Sequence, residues 1–447
     1  MDPVTIGMIG FALAMLLIAL RVPVGFALAG LAVVCTFLFY GYKFGDEFQA
    51  MRAVRPTMSL ISSNVFQFLH SYELSMVPMF IALGHIAFHA RITTEIYYAV
   101  RVWLSRVSGG LAMASVLGCG GFSAITGSSV ACAAAMGRIC IPEMRRYGYS
   151  MQLASSTVAM GGTLGALIPP SVLFILYGLF TEQSVNKLFL AGVLPGLLSL
   201  LGMIVVIFIW TRFRPQDAPV PEQEFSTGER WMALLRAWPA CALFTLIIGG
   251  IYGGIFTATE AAAVSLTFAI VYGVLSRKLS WDAFVSSLKE TAVQTAAIFF
   301  ISAGAKMFVA FVSLTGLTRE VVALTEFYMM SDWSVLLIIV LLYLVMGMFL
   351  DPLGIMLLTL PFVIPLVEGM GLDLIWFGVV VIKLLEIGLI TPPVGMNVFI
   401  INSVVGRAAP VHTIFRGVIN FLTIDIVVFA LIFLFPVISL LLPNTQW

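Results

Sequence analysis

Thr126, Gly127, Ser128 and Ser129 stand together inside one apolar run, and Asp351 stands inside another. Hydroxyl and carboxylate oxygens are hard donors and suit a hard cation such as sodium. Each group lies beside residues that break a helix. Gly127 permits an irregular backbone, and Asp351 is followed by Pro352-Leu353-Gly354. A second kind of break reads Gly165-Ala166-Leu167-Ile168-Pro169-Pro170, and again Gly388-Leu389-Ile390-Thr391-Pro392-Pro393, with Met396 and Asn397 close behind. Pro169 and Pro170 have no N–H, so the carbonyls of Gly165 and Ala166 lose their helical partners. A broken C-terminal end offers partially negative carbonyls to a cation, and a broken N-terminal end offers N–H groups to an anion. The chemistry these residues could do is ion and anion binding at interrupted helices.

The breaks repeat. Ile141-Pro142, Gly148, Gly165 and Pro169-Pro170 match Ile364-Pro365, Gly371, Gly388 and Pro392-Pro393, each pair offset by 223 residues with no gap. On this register Asp351 lies opposite Ser128 and Thr391 opposite Ile168. Helix breaks within a membrane are tolerated where they are buried in protein or line a cavity. Corresponding breaks in two halves of a chain point to a transporter's binding site.

The elements that must carry these breaks are membrane helices. The chain has 447 residues, is 61% hydrophobic and only 10% charged, and its mean hydropathy is +1.07. Those values exclude a soluble domain and leave room for about ten spans of roughly 20 residues. The run 3–20 follows Met1-Asp2-Pro3 and precedes Arg21, the reverse of a signal peptide, so it reads as a retained first span. Cys35, Cys119, Cys132, Cys140 and Cys241 fall in apolar segments without metal-ligand spacing and read as small buried hydrophobes.

Loop charge orients the spans. One assignment puts Arg21, Arg91, Arg101, Arg106, Arg138, Arg145, Arg146, Arg212, Arg214, Arg230, Arg236, Arg277, Lys278, Lys289, Arg407 and Arg416 inside. Only Lys43, Arg52, Arg55, Lys187 and Arg319 remain outside, with the N-terminus. Asp46, Glu47, Glu182, Asp332, Glu368 and Asp373 collect on the outer side. The long polar stretch 211–236, with Pro215, Pro219, Pro221, Glu222, Glu224 and Glu229, reads as a cytoplasmic linker. Its Trp231, with Trp238 just beyond, suits an interfacial helix.

Residues 108–142 are apolar but broken at Thr126-Gly127-Ser128-Ser129, and the arm 129–142 would rise only ~21 Å as helix, against a bilayer core of about 30 Å. A re-entrant hairpin entering from the basic, inner side fits; an ordinary helical hairpin with a glycine-rich kink is the alternative. Residues 333–366, broken at Asp351, repeat the pattern with acidic flanks and would enter from outside, so the halves would be inverted. Asp351 at mid-membrane costs ~2.5–3.5 kcal/mol on insertion scales. It reads as an ion ligand, as the N-cap of the helix starting at Pro352, or as both.

Lys383 and Glu386, three apart, read as an ion pair on one helix face. Lys306 reads as snorkelling near a helix end, and Thr257 with Glu260 as a capping box. His70, His85, His89 and His412 lack metal-site spacing. There is no Gly-Lys dipeptide and hence no Walker A loop, no nucleophile or zinc-hydrolase motif, no nucleic-acid-binding segment and no voltage-sensor array. An enzyme is therefore not expected. A passive pore with re-entrant loops is the alternative to a transporter; it would show neither saturation nor dependence on a binding protein.

The segments Gly127-Ser-Ser-Val-Ala-Cys-Ala-Ala-Ala-Met-Gly137, Gly162-Thr-Leu-Gly-Ala-Leu-Ile-Pro-Pro-Ser171, Lys187-Leu-Phe-Leu-Ala-Gly-Val-Leu-Pro-Gly196, Leu350-Asp-Pro-Leu-Gly354 and Leu385-Glu-Ile-Gly-Leu-Ile-Thr-Pro-Pro-Val-Gly-Met-Asn397 resemble the large membrane subunit of TRAP (tripartite ATP-independent periplasmic) transporters, the DctM-like family. The resemblance covers nearly the whole chain. It implies an all-α polytopic membrane protein, an inverted-repeat elevator-type transporter with two re-entrant helical hairpins. It implies sodium-coupled import of an organic acid across a bacterial inner membrane, with a small four-helix membrane subunit and a periplasmic substrate-binding protein as partners. One sodium site would use Thr126, Ser128 and the backbone at Gly165, Ile168 and Pro170. A second would use Asp351, Gly388, Thr391 and Met396, and substrate would sit near Ser129, Pro169 and Asn397. Many relatives carry an oxygen-bearing residue where Cys132 stands, so the first site would lean on backbone carbonyls. Two or more sodium ions would give import of a monoanion a voltage drive of ~2.3 kcal/mol per 100 mV for each net charge.

These expectations divide the chain into N-terminal scaffold spans 1–107, a first repeat core 108–210, the linker 211–236, scaffold spans 237–290 and a second repeat core 291–447.

Overall fold

The structure, a computed structural model, describes residues 2–42, 48–220 and 225–445. Lys43, Asp46 and Glu47 of the outer loop and Pro221, Glu222 and Glu224 of the linker lie outside them. The described residues form helices and no strand. In chain order these are α1 (Pro3–Ala19), α2 (Val24–Tyr42), α3 (Ala50–Leu69), α4 (Met76–His89), α5 (Ile92–Leu104), α6 (Gly110–Thr126), α7 (Ser129–Arg146), α8 (Met151–Leu167), α9 (Val172–Thr181), α10 (Val185–Phe213) and α11 (Thr227–Arg236). There follow α12 (Trp238–Phe244), α13 (Gly250–Tyr252), α14 (Ala258–Leu275), α15 (Trp281–Thr315), α16 (Leu317–Phe327), α17 (Asp332–Gly347), α18 (Pro352–Gly369), α19 (Leu374–Gly388), α20 (Met396–Val405), α21 (Val411–Leu434) and α22 (Val437–Thr445). Among the described residues seven helices are long and apolar enough to cross a membrane, or up to nine if bent pairs are counted. The chain is a multi-pass membrane protein.

The 223-residue register holds in the elements themselves. α7 and α18 coincide at both ends on that offset, and α8 and α19 at their starts. Ser128 and Asp351, opposite each other in the register, are both N-caps whose side chains accept backbone N–H groups. Both Pro-Pro bonds, Pro169-Pro170 and Pro392-Pro393, are cis.

The arms after the breaks are longer than the sequence suggests. α7 and α18 each have 18 residues, because Pro142 in one and Pro361 and Pro365 in the other lie inside the helix rather than ending it. At 1.5 Å per residue that is roughly 27 Å, so length alone no longer separates a re-entrant arm from a crossing one. The C-terminal half of α7 holds Arg138, Glu143, Arg145 and Arg146, and α18 passes as a span by length and hydropathy.

Two compact units are formed. The first comprises residues 1–75 and 293–374, the second 76–292 and 375–447. α6 to α9 lie in the second unit, together with nearly all of α19 and with α20, while α17 and α18 lie in the first.

Within the first unit, α1 and α2 pack on the C-terminal half of α15. The backbones approach closely there because Gly7, Gly25 and Gly304 carry no side chain. The Thr359 hydroxyl of α18 joins the Tyr343 hydroxyl of α17 at 2.6 Å and ties the two arms. Lys306 lies in the C-terminal third of α15, more than two turns before its end at Thr315.

Within the second unit, α8 is buried from Leu153 to its end at Leu167, packed by α6, α7, α10, α20 and α21. Its sequence explains that position. Ala154, Ser155, Ser156, Ala159, Gly161, Gly162, Gly165 and Ala166 are small, and small residues let several helices close on one. The linker helix α11 starts with a capping box of Ser226 and Glu229. Its Trp231 is exposed and meets Trp103 edge-on, while Trp103 Nε1 donates to Arg230 O at 3.1 Å. The expected capping box of Thr257 and Glu260 opens α14. Cys241, expected to be buried, is exposed on the short helix α12; the other four cysteines are buried, and all five are free.

Candidate functional site

The first break is built where the end of α6 meets the end of α8. Gly127 caps α6 in the left-handed region at φ +63°, which favours glycine, and its N–H donates to Ser123 O at 3.1 Å. Ser128 is extended and starts α7, its hydroxyl accepting from Ala131 N at 3.4 Å. Ser129 Oγ donates to Thr163 O of α8 at 3.3 Å, and Thr126 Oγ1 donates to Phe122 O at 3.1 Å. Each hydroxyl spends its one hydrogen or a single lone pair this way, so its oxygen keeps acceptor capacity.

α8 stops at Ile168, which is extended, and Ser171 caps α9 with its hydroxyl accepting from Phe174 N. Pro169 and Pro170 supply no N–H, so the carbonyls of Gly165 and Ala166 lose their helical donors as the sequence predicts. The two breaks interlock. Val172 N donates to Gly127 O at 3.3 Å. A methyl group on Gly127 would strike the Pro170 carbonyl, and one on Gly165 would sit 2.7 Å from Ser128 C and O and 2.8 Å from Ser129 N. The backbone of the hairpin tip therefore rests directly on the backbone of α8. Thr126, Ser129, Gly165, Ile168, Pro169 and Pro170 are all buried, and Ser128 is half-buried. Hydroxyls, freed carbonyls and two helix ends converge here in one place.

Cys132 is fully buried in the first turn of α7. Its thiol donates to Cys119 O at 3.7 Å and accepts from Ser123 Oγ at 3.6 Å. It is engaged by α6.

The second break lies in the same unit. α19 ends at Gly388, and Thr391 Oγ1 donates to Ile387 O at 2.6 Å. Here the repeat is unequal. The carbonyls matching Gly165 and Ala166 regain donors, Gly388 O from Thr391 N at 3.2 Å and Leu389 O from Asn397 N at 3.0 Å. Thr391 and Met396 are half-buried and Pro392 and Pro393 exposed, in contrast to the buried first break. Asn397 is fully buried; its amide donates to Ala159 O of α8 at 3.4 Å, and its carbonyl oxygen has no partner. An unmatched buried acceptor is costly and marks a place for a donor or a cation.

Asp351 belongs to the first unit. One carboxylate oxygen accepts Leu353 N at 3.1 Å and Gly354 N at 3.2 Å, so the N-cap reading holds there. The structure brings together Thr126, Ser128, Ser129, Gly165, Ile168, Pro169 and Pro170 around the first break. It groups Gly388, Thr391, Met396 and Asn397 along the second, and places Asp351 at the head of α18.

Sequence reasoning missed one group. Lys383 and Glu386 do pair, at 3.3 Å, but Asp425 of α21 approaches Lys383 more closely, at 2.6 Å. Asp425 is a lone acid in the apolar run Val411–Leu434, and that isolation was the available signal.

The family model described as the DctM component of the tripartite ATP-independent periplasmic transporter matches residues 11–438. The C4-dicarboxylate TRAP transporter large permease protein DctM of Pseudomonas aeruginosa is 34% identical, over 86% of this chain and 89% of that protein. The sialic acid TRAP transporter large permease protein SiaM of Vibrio cholerae is 33% identical, over 94% and 95%. Among solved structures, the Alcanivorax borkumensis YdaH transporter superposes with a TM-score of 0.59 over 99% of this chain and 98% of its own, at 16% identity, a likeness of fold alone.

Proposed function

Since the chain belongs to the DctM-component family of TRAP transporters, we propose that it is the large membrane subunit of a sodium-coupled importer of an organic acid in a bacterial inner membrane. Its partners are a small four-helix membrane subunit and a periplasmic protein that delivers the substrate. The two relatives named above carry a C4-dicarboxylate and a sialic acid in their names, and both compounds are carboxylic acids.

The observation that carries the reading is the interlock of the two breaks, with Gly165 beneath Ser128 and Gly127 beneath Pro170. It gathers hard oxygens, which is what a small cation requires. The first sodium is held by the Thr126 and Ser128 hydroxyls and the backbone at Gly165, Ile168 and Pro170. A second sodium is held along the second break by Gly388, Thr391 and Met396, Asp351 at the head of α18 is an ion ligand in its own unit, and substrate binds near Ser129, Pro169 and Asn397. Re-entrant hairpins carry the two tips, and an elevator movement alternates access to the substrate. The helix N-termini at Ser129 and at Pro352 are each partially positive ends of the kind that favours an anion.

The test is uptake into proteoliposomes containing both membrane subunits, with the binding protein outside. Accumulation should require an inward sodium gradient and rise with an inside-negative potential. Accumulation indifferent to the sodium gradient contradicts the reading.

A further inference from the structure

Lys383, Glu386, Asp425 and Ser199 meet in the interior of the second unit, where the C-terminal half of α19 meets the middles of α21 and α10. The side chains of Lys383 and Glu386 are wholly inaccessible, and that of Asp425 is 2% exposed. The Lys383 ammonium donates to Asp425 Oδ1 at 2.6 Å, to Ser199 Oγ at 3.0 Å and to Glu386 Oε2 at 3.3 Å. An ammonium has three hydrogens, so Lys383 is saturated. Glu386 Oε1 and Asp425 Oδ2 have no hydrogen-bond partner. One cation thus stands against two carboxylates, and each carboxylate turns one bare oxygen into the protein.

An unbalanced negative charge at this depth is unfavourable, and bare carboxylate oxygens add to the cost. One further positive charge offsets the imbalance, and a metal cation is one way to supply it. The lone pairs left on the Ser199 hydroxyl add a third hard donor. Such a donor set suits sodium better than a soft metal.

We propose that the Lys383–Glu386–Asp425 cluster is a further cation site, in which Glu386 Oε1 and Asp425 Oδ2 take one sodium ion beyond those at the hairpin breaks. Lys383 acts there as a tethered cation, setting the site's remaining charge to one unit. The inference rests on the proposed function in taking sodium as the transported cation, but not on the hairpin ligands.

The experiment is equilibrium binding of radioactive sodium to the purified full-length protein in lipid nanodiscs, counted per chain. Asp425→Asn should bind one sodium fewer than wild type, and Glu386→Gln should do the same if Asp425→Asn does not fold. Ser128→Ala should keep the cluster's ion and lose one at the hairpin. A loss in Asp425→Asn with none in Ser128→Ala supports the cluster and overturns the hairpin ligands. The converse overturns the cluster and leaves the proposed function standing. Equal counts in wild type, Asp425→Asn and Glu386→Gln, the result a bound proton in place of sodium would give, overturn the inference.

Discussion

Gly165→Ala puts the proposed ion site to its most direct test. The added Cβ would lie 2.7 Å from Ser128 C and O and 2.8 Å from Ser129 N, where ordinary van der Waals contact begins at 3.4 Å. All three obstacles are backbone atoms, so no side-chain rotation relieves them. The hairpin tip must retreat from α8 by roughly 1 Å, or the helix must bear the overlap. Overpacking of this kind costs ~1–3 kcal/mol. The tip has to sit on Gly165 for the Thr126 and Ser128 hydroxyls and the Gly165 carbonyl to face one ion, so the strain falls on the ion-competent geometry. At 1.4 kcal/mol per factor of ten, that strain raises the sodium concentration for half-maximal uptake by about 5- to 150-fold. The assay is initial uptake rate against sodium concentration in proteoliposomes. Gly30→Ala serves as the control, since nothing lies within 4 Å of its added methyl. A Gly165→Ala protein with the wild-type sodium curve would refute the reasoning, because the tip would then be shown to ride free of α8.

Three further outcomes are expected. Asp351→Asn keeps a good N-cap, so its thermal midpoint in detergent should match wild type while uptake is lost; Asp351→Ala should lose uptake and also ~0.5–2 kcal/mol of stability. Lys383→Met leaves two buried carboxylates without their cation, so it should destabilise the folded protein by ~3–5 kcal/mol, read as a lowered unfolding midpoint. In the linker, the backbone N–H and hydroxyl of Ser226 hold the Glu229 carboxyl below its usual range. The folded value is the lower one, so this contribution to α11 is present above the unfolded carboxyl's range and fades as pH falls through it. Hydrogen exchange at the start of α11 should therefore quicken on acidification, and Glu229→Gln should abolish that dependence.

Much of the site was legible because glycine and proline state backbone requirements outright. The breaks at Gly127, Ile168-Pro169 and Asp351-Pro352 fall where the sequence puts them, and the 223-residue offset reappears in helix boundaries. Capping was legible for the same reason, at Asp351 and at Thr257 with Glu260. Arm length was not. A proline inside a helix removes one hydrogen bond, and whether the helix continues depends on packing that no local pattern records; Pro142, Pro361 and Pro365 all continue. Asp425 was hidden for a related reason, since its partner Lys383 lies 42 residues away on another helix. The exposure of Cys241 likewise depends on what packs against α12, not on the apolar run that contains it.

The inequality of the two breaks was equally out of reach of the sequence, and it bears on how each would hold a cation. Both Pro-Pro pairs withdraw two N–H groups from the preceding turn, so the sequence makes the breaks equivalent. In the second, however, the chain turns back so that Thr391 N and Asn397 N refill Gly388 O and Leu389 O. A carbonyl that accepts an N–H keeps a lone pair but is a poorer cation ligand than one whose donor is missing. The second break is therefore short of negative potential, and it is exposed at Pro392 and Pro393 where the first is buried. On the 223-residue register the first repeat has the neutral Ser128 where Asp351 stands at the head of α18, and the first break already offers two freed carbonyls. Replacing Ser128 by Asp should then overcharge the first site, slowing sodium release more than it improves sodium binding.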